Sequence, residues 1–165
     1  MTGSILSGRA HVYGDNIDTD RIIPGKYTKT LDAQALAEHV LEDLDADFRR
    51  RLQPGDFLVA GNNFGCGSSR EQAPVALQTA GVSAVIARYF ARIFFRNAIN
   101  IGLPALEVPD HDIAPGDELQ VDLATGVIQN RTTGKIYLAK PLPEIMLRIL
   151  QAGGLVRYLH IHQTF

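Results

Sequence analysis

The sequence predicts an α/β fold: a parallel β-α-β-α-β core with antiparallel strands added beside it, in one domain spanning residues 1–165. Three observations lead there. Residues 56–108 alternate short apolar runs with stretches of helical periodicity, reading strand, helix, strand, helix, strand, which is the order that gives parallel pairing. The last third changes character, to short alternating runs between turns, as in antiparallel strands. The first core strand also runs into a glycine-rich loop, Gly61–Glu71, at its carboxyl end, where open α/β sheets bind ligands.

The totals narrow the class. A 165-residue chain that is 45% hydrophobic and 21% charged is that of an ordinary folded domain. A formal net charge of -2 speaks against nucleic-acid binding, which calls for a basic face. No apolar run approaches membrane-spanning length, and the first residues have no basic segment followed by an apolar core, so a cytoplasmic setting is expected. The single cysteine, Cys66, excludes an internal disulfide and any cysteine set for zinc or an iron–sulfur cluster, so no metal site is expected on this chain.

In chain order, Ser7–Tyr13 reads as a strand ending at the turn cluster Gly14-Asp15-Asn16. Ile17–Tyr27 is dense in acids beside Thr and Arg and is broken by Pro24-Gly25. It is either a solvated loop with a local Asp–Arg pair or a second polar wall facing the glycine-rich loop. Asp32–Val40 reads as a helix capped by Thr30 or Asp32, with a second short helical stretch at Asp45–Leu52. His39, beside an apolar stripe, reads as a packed or surface histidine. Phe57–Ala60 is a buried strand. Gln72–Thr79 is a helix that tolerates Pro74 in its first turn and takes Ser68 or Ser69 as its cap. Ser83–Ala87 is a strand, and Arg88–Ile99 a helix carrying Arg88, Arg92 and Arg96 on one solvated face. Ala105–Val108 completes the core. Antiparallel strands follow within 117–123, 126–130 and 134–138. Pro143–Gln151 is a helix stopped by Gly153-Gly154, and the tail from Leu155 alternates like a strand. His160 and His162 have no third metal ligand in view.

The chemistry concentrates in the glycine-rich loop. Three glycines in seven residues (Gly61, Gly65, Gly67) let the backbone bend and approach a ligand closely. Arg70 adds a planar cation suited to a carboxylate or phosphate. The hydrolase elbow G-x-S-x-G is not met, and the lysine of a P-loop is replaced by Gly67. Cys66 has no partner histidine and reads as a small buried residue. What remains is an anion pocket with serine hydroxyls in it. The residues alone allow either helix capping or a serine that abstracts a proton beside a bound carboxylate.

Gly61–Pro74 resembles the signature of the swivelling domain of the aconitase superfamily, and within it the small-subunit family of the 3-isopropylmalate dehydratase (isopropylmalate isomerase) type. Gly14–Pro24 is similar to that family's N-terminal motif and Ala87–Pro104 to its third, so three motifs follow in order over the first two-thirds of the chain. The resemblance implies a swivel-type β/β/α fold. It further implies the small subunit of a hydro-lyase of leucine biosynthesis, which isomerises 2- and 3-isopropylmalate by dehydration and rehydration. The partner is a large subunit, in a heterodimer or heterotetramer, and that partner carries the 4Fe–4S cluster. By motif position, Ser68 is implied as the base and Asp20 as an acid positioning active-site groups. Ser69 and Arg70 are implied as carboxylate binders. The loop Tyr27–Thr30, with Thr28 and Lys29, is implied as the selector of the substrate side chain. Lys29 departs from an apolar lining, which keeps homoaconitate, citraconate/methylmalate and dimethylmalate open as substrates. A non-catalytic anion-binding or regulatory module is the alternative of another class, and an independent serine or cysteine hydrolase ranks last.

Overall fold

The computed structural model describes residues 5–30 and 32–162. Its strands are β1 (Ile5–Val12), β2 (Phe57–Ala60), β3 (Ala84–Ala87), β4 (Ala105–Glu107), β5 (Glu118–Asp122), β6 (Val127–Asn130) and β7 (Ile136–Leu138). They form one sheet in the order β4-β3-β2-β1-β5-β6-β7. The β1–β2, β2–β3 and β3–β4 pairs are parallel, whereas β1–β5, β5–β6 and β6–β7 are antiparallel. The helical segments are α1 (Thr19–Ile22), α2 (Ala33–Glu38), α3 (Phe48–Arg51), α4 (Gln72–Ala80), α5 (Arg92–Asn100), α6 (Glu144–Ala152) and α7 (Leu155–Ile161).

Every residue of β2, β3 and β4 is buried. Parallel strands need cover on both faces, and this explains why they read as unbroken apolar runs. On one face Leu58, Val85 and Ala105 pack with Leu36, Leu41, Phe48, Leu77 and Phe94 from the helices and loops. On the other, Phe57, Val59, Ile86 and Leu106 pack with Leu119, Val121 and Ile128 of the antiparallel strands. The sheet therefore curls until its antiparallel half covers the parallel half. β1 is the hinge of this arrangement: its first half pairs with β5 and its second half with β2.

Four expectations are corrected. The helix expected from Arg88 starts at Arg92, because the chain just before it is used by the sheet end: Phe64 N–H donates to the Tyr89 carbonyl at 3.0 Å, and Ala91 N–H donates to Phe64 at 2.9 Å. The stripe Arg88-Arg92-Arg96 is therefore broken, and Arg88 instead donates to the carbonyls of Pro109 and His111. The tail is the helix α7, not a strand. Gly154, at φ 129°, turns the chain so that Leu155 and Tyr158 pack on the core one turn apart. His160 and His162 thereby fall on different helix faces. The stretch Asp45–Leu52 is helical only over Phe48–Arg51. Finally, neither serine caps α4: its N-cap is Glu71, with no side-chain cap bond. At α2 the expected cap is present, since Asp32 accepts from Gln34 N–H at 3.0 Å.

Candidate active site

The site lies at the carboxyl ends of β1, β2 and β3, where three loops are laced together by backbone hydrogen bonds. The parallel pairing of β1 and β2 continues irregularly beyond the strands. Gly61 N–H donates to Gly14, Asn16 to Asn62, Gly65 to Ile17 and Thr19 to Cys66, at 2.7–3.0 Å. On the other side Arg88 N–H donates to Gly61 at 3.0 Å. The glycine-rich loop is thus held between the acidic segment and the approach to α5. The acidic segment is a second wall, not a solvated loop. Side chains reinforce it: Asp15 accepts from Asn62 N–H at 2.7 Å, and Thr19 Oγ1 donates to the Ser68 carbonyl at 2.8 Å.

Glycine is required at the point of closest approach. Gly65 has φ +83°, and a Cβ there would stand 2.3 Å from the Phe94 side chain. The loop backbone therefore lies directly on α5, and together they bound a cleft of about 310 Å³. Its polar lining is Thr19, Cys66, Ser69, Arg70, Arg92 and Asn97; Ile93 and Phe94 are its apolar wall.

Arg70 is held in place before any ligand arrives. Its Nη1 donates to Asp20 Oδ1 at 2.6 Å and to the Ile23 carbonyl at 3.2 Å. Asp20 also accepts from Gly25 N–H at 3.0 Å. The hydrogen bond from Arg70, helped by that from Gly25, holds the Asp20 carboxyl below its usual range, so it stays a carboxylate at neutral pH. Among the described residues these bonds use Nη1 alone of the five N–H donors of the guanidinium, and Arg70 lines the cleft.

Ser68 and Ser69 are exposed, and among the described residues neither hydroxyl has a hydrogen-bond partner. Ser69 lines the cleft; Ser68 is the residue before it, outside the lining. Thr28 is tied to the neighbouring turn and to α4: its hydroxyl donates to the Gly25 carbonyl at 2.8 Å, and its own carbonyl accepts from Gln72 at 3.0 Å. Lys29 is exposed, and neither it nor Thr28 lines the cleft. Cys66 is half-buried in the lining, and burial followed by the nearby Asp18 charge pushes its thiol up, so it is held as a thiol and not as a nucleophilic thiolate.

The residue that sequence reasoning left on the surface is Arg92. It is exposed, yet it lines the cleft from α5 and is bound to the buried Glu107 of β4. Glu107 carried the signal: an acid inside the apolar run Ala105–Val108 calls for a cation or N–H donors nearby.

Comparison with known proteins agrees with this architecture. Residues 9–111 match the model of the aconitase C-terminal domain. The 3-isopropylmalate dehydratase small subunit of Caldicellulosiruptor bescii is 57% identical over 94% of this chain and 95% of its own length. The small subunit 2 of Archaeoglobus fulgidus is also 57% identical, over 95% and 96%. The crystal structure of a 3-isopropylmalate dehydratase (LeuD) from Methanocaldococcus jannaschii superposes with a TM-score of 0.92 at 45% identity, covering 96% of this chain and 95% of that one. The motifs, the curled sheet and these relatives agree: the chain belongs to the aconitase C-terminal domain family, in its branch of 3-isopropylmalate dehydratase small subunits.

Proposed function

We propose that this chain is the small subunit of a cytoplasmic two-subunit hydro-lyase of leucine biosynthesis, which interconverts 2- and 3-isopropylmalate by removing and re-adding water. The observation that carries the reading is the cleft itself. The hydroxyl-bearing Ser69 and a guanidinium braced by Asp20 line it, with Ser68 next in the chain, and the chain matches such small subunits over 94% of its length.

The chain's own donors do not make an iron–sulfur site. It has one cysteine, and among the described residues no three His, Cys, Asp or Glu side chains converge. The 4Fe–4S cluster is therefore assigned to the large subunit, where its iron would act as a Lewis acid toward the substrate hydroxyl. The roles left for this chain are binding and proton transfer. Arg70 and Ser69 take a substrate carboxylate, and Asp20 fixes the fork of Arg70. Ser68 is the base, acting as an alkoxide. The residue is exposed, and among the described residues no base is hydrogen-bonded to its hydroxyl. Closure of the partner supplies what is missing, excluding water and adding fixed dipoles and cations. Thr28 and Lys29, on the loop that follows the Pro24-Gly25 turn, are assigned to the end of the substrate that carries its side chain.

The test is reconstitution with the large subunit under anaerobic conditions. The isolated chain is expected to be inactive and the mixture active on isopropylmalate. Ser68→Ala is expected to lower turnover by about a hundredfold or more with assembly intact. Full activity of the isolated chain would overturn the reading. Unchanged turnover in Ser68→Ala would leave an anion-binding module instead. In a panel that adds homoaconitate, citraconate and dimethylmalate, Lys29→Leu is expected to shift preference away from distal carboxylates. An unmoved preference makes Lys29 a surface lysine.

A further inference from the structure

We infer that Arg92 is a second carboxylate anchor of the cleft, facing Arg70, so that the two guanidiniums together select a dicarboxylate. The inference rests on the cleft being the substrate site.

Four observations support it. First, Arg92 lines the same cleft as Arg70 but from a different element, at the start of α5. Second, its guanidinium, though half exposed, is held by named partners. Nη2 donates to the Phe90 carbonyl at 2.9 Å and to the Glu107 carboxylate, and Nε donates to Phe90 at 3.3 Å. The plane lies over two rings, 4.7 Å from the Tyr89 centroid and 5.1 Å from that of Phe95. These contacts restrict the side chain before a ligand binds and so lower the ordering cost of binding. Third, these contacts use Nη2 and Nε, and among the described residues Nη1 has no partner, so two N–H donors are spare on a cleft-lining group. Fourth, the wall itself is held firmly. Phe94, two residues on, packs on Gly65 too closely for any Cβ, and this ties the first turn of α5 to the loop that carries Arg70.

The two walls share one design. Each guanidinium is steadied by one carboxylate and one carbonyl: Asp20 and Ile23 for Arg70, Glu107 and Phe90 for Arg92. Glu107 is nine-tenths buried and also accepts from Phe90 N–H at 3.0 Å, so its position does not depend on a ligand. Arg96, one turn further along α5, provides the contrast. Both are exposed, but Arg96 does not line the cleft.

The experiment uses the reconstituted two-subunit enzyme with Arg92→Gln, Arg92→Lys, Arg96→Gln and Arg70→Gln. The readings are KM for isopropylmalate and inhibition by succinate, with two carboxylates, against butyrate, with one. Arg92→Gln is expected to raise KM about ten- to a hundredfold and to weaken succinate by the same factor, with butyrate unmoved. Arg92→Lys, which keeps the charge and loses the fork, is expected to fall between, and Arg96→Gln to match the unaltered enzyme. Unchanged KM and succinate inhibition in Arg92→Gln overturn the inference, as does an equal loss for succinate and butyrate. If Arg92→Gln does not assemble on gel filtration, Arg92→Lys decides. Failure of both to assemble makes Arg92 a structural group and also overturns it. A response to Arg70→Gln without one to Arg92→Gln removes the second anchor alone, whereas no response to either removes the reading of the cleft.

Discussion

At the scale of single residues, the site depends on carboxylates that hold guanidiniums in place. Asp20 is exposed, so its bond to Arg70 adds little to stability; its effect is on the orientation of the Arg70 fork. Because its folded pKa is depressed, the brace is complete above the ordinary carboxylate pKa of about 3.9 and is lost only as pH falls through the lower folded value. Across neutral pH, the brace does not contribute to any pH dependence. Asp20→Asn is expected to raise KM several-fold to about tenfold while leaving the melting temperature nearly unchanged. An unchanged KM would mean that the fork of Arg70 is held adequately by the Ile23 carbonyl. Ser68 and Ser69 show the opposite condition: with Glu71 at the N-cap of α4, neither hydroxyl caps the helix, and among the described residues neither has a hydrogen-bond partner.

At the scale of elements, the controlling contact is the glycine-rich loop on α5. A Cβ on Gly65 would collide with Phe94, and the backbone there has positive φ, so Gly65→Ala meets overpacking and backbone strain together. The expected cost is about 2–4 kcal/mol, seen as a melting temperature lower by roughly 5–15 °C, with loss of activity in the reconstituted enzyme. Gly14→Ala is the control, since a Cβ there meets nothing within 4 Å. Equal melting temperatures for the two variants would show that the loop relaxes without cost. The same loop explains why α5 begins at Arg92: the N–H of Ala91 and the carbonyl of Tyr89 are bonded to Phe64 and unavailable to a helix.

At the scale of the whole molecule, the curled sheet buries its own polar ties. His111 is buried, with Nε2 at 3.2 Å from the Ala60 carbonyl and Nδ1 accepting from Ile113 N–H at 3.3 Å, an arrangement that defines a neutral ring with its proton on Nε2. Burial, and then the Arg88 charge, lower its pKa against the opposing bond to Ala60 and the nearby Asp112 and Asp110. The unfolded chain therefore binds this proton first as pH falls, so the fold loses stability below about pH 6.5, by up to ~1.4 kcal/mol per pH unit. Chemical denaturation at pH 8, 6.5 and 5.5 is expected to show this slope, and His111→Gln to flatten it. An equally steep slope in the variant would assign it to other groups.

The sequence by itself determined the core strands, most helices and the three motifs. Doubly buried parallel strands must be apolar throughout, and a loop of close backbone approach must be glycine-rich. Both requirements leave marks that can be read locally at Phe57–Ala60, Ala84–Ala87 and Gly61–Gly67. Only the tertiary structure decided which N–H groups were already taken. That set the start of α5 and left the serines uncapped. It turned the tail into a helix once Gly154 had laid Leu155 and Tyr158 on the core. It also carried Arg92 from an apparent solvated stripe to the wall of the cleft, because Glu107, 15 residues away in the chain, is its neighbour only when β4 lies beside β3. Hydrogen bonds and ion pairs between distant segments leave no periodicity in the sequence, and in this protein they are what complete the site.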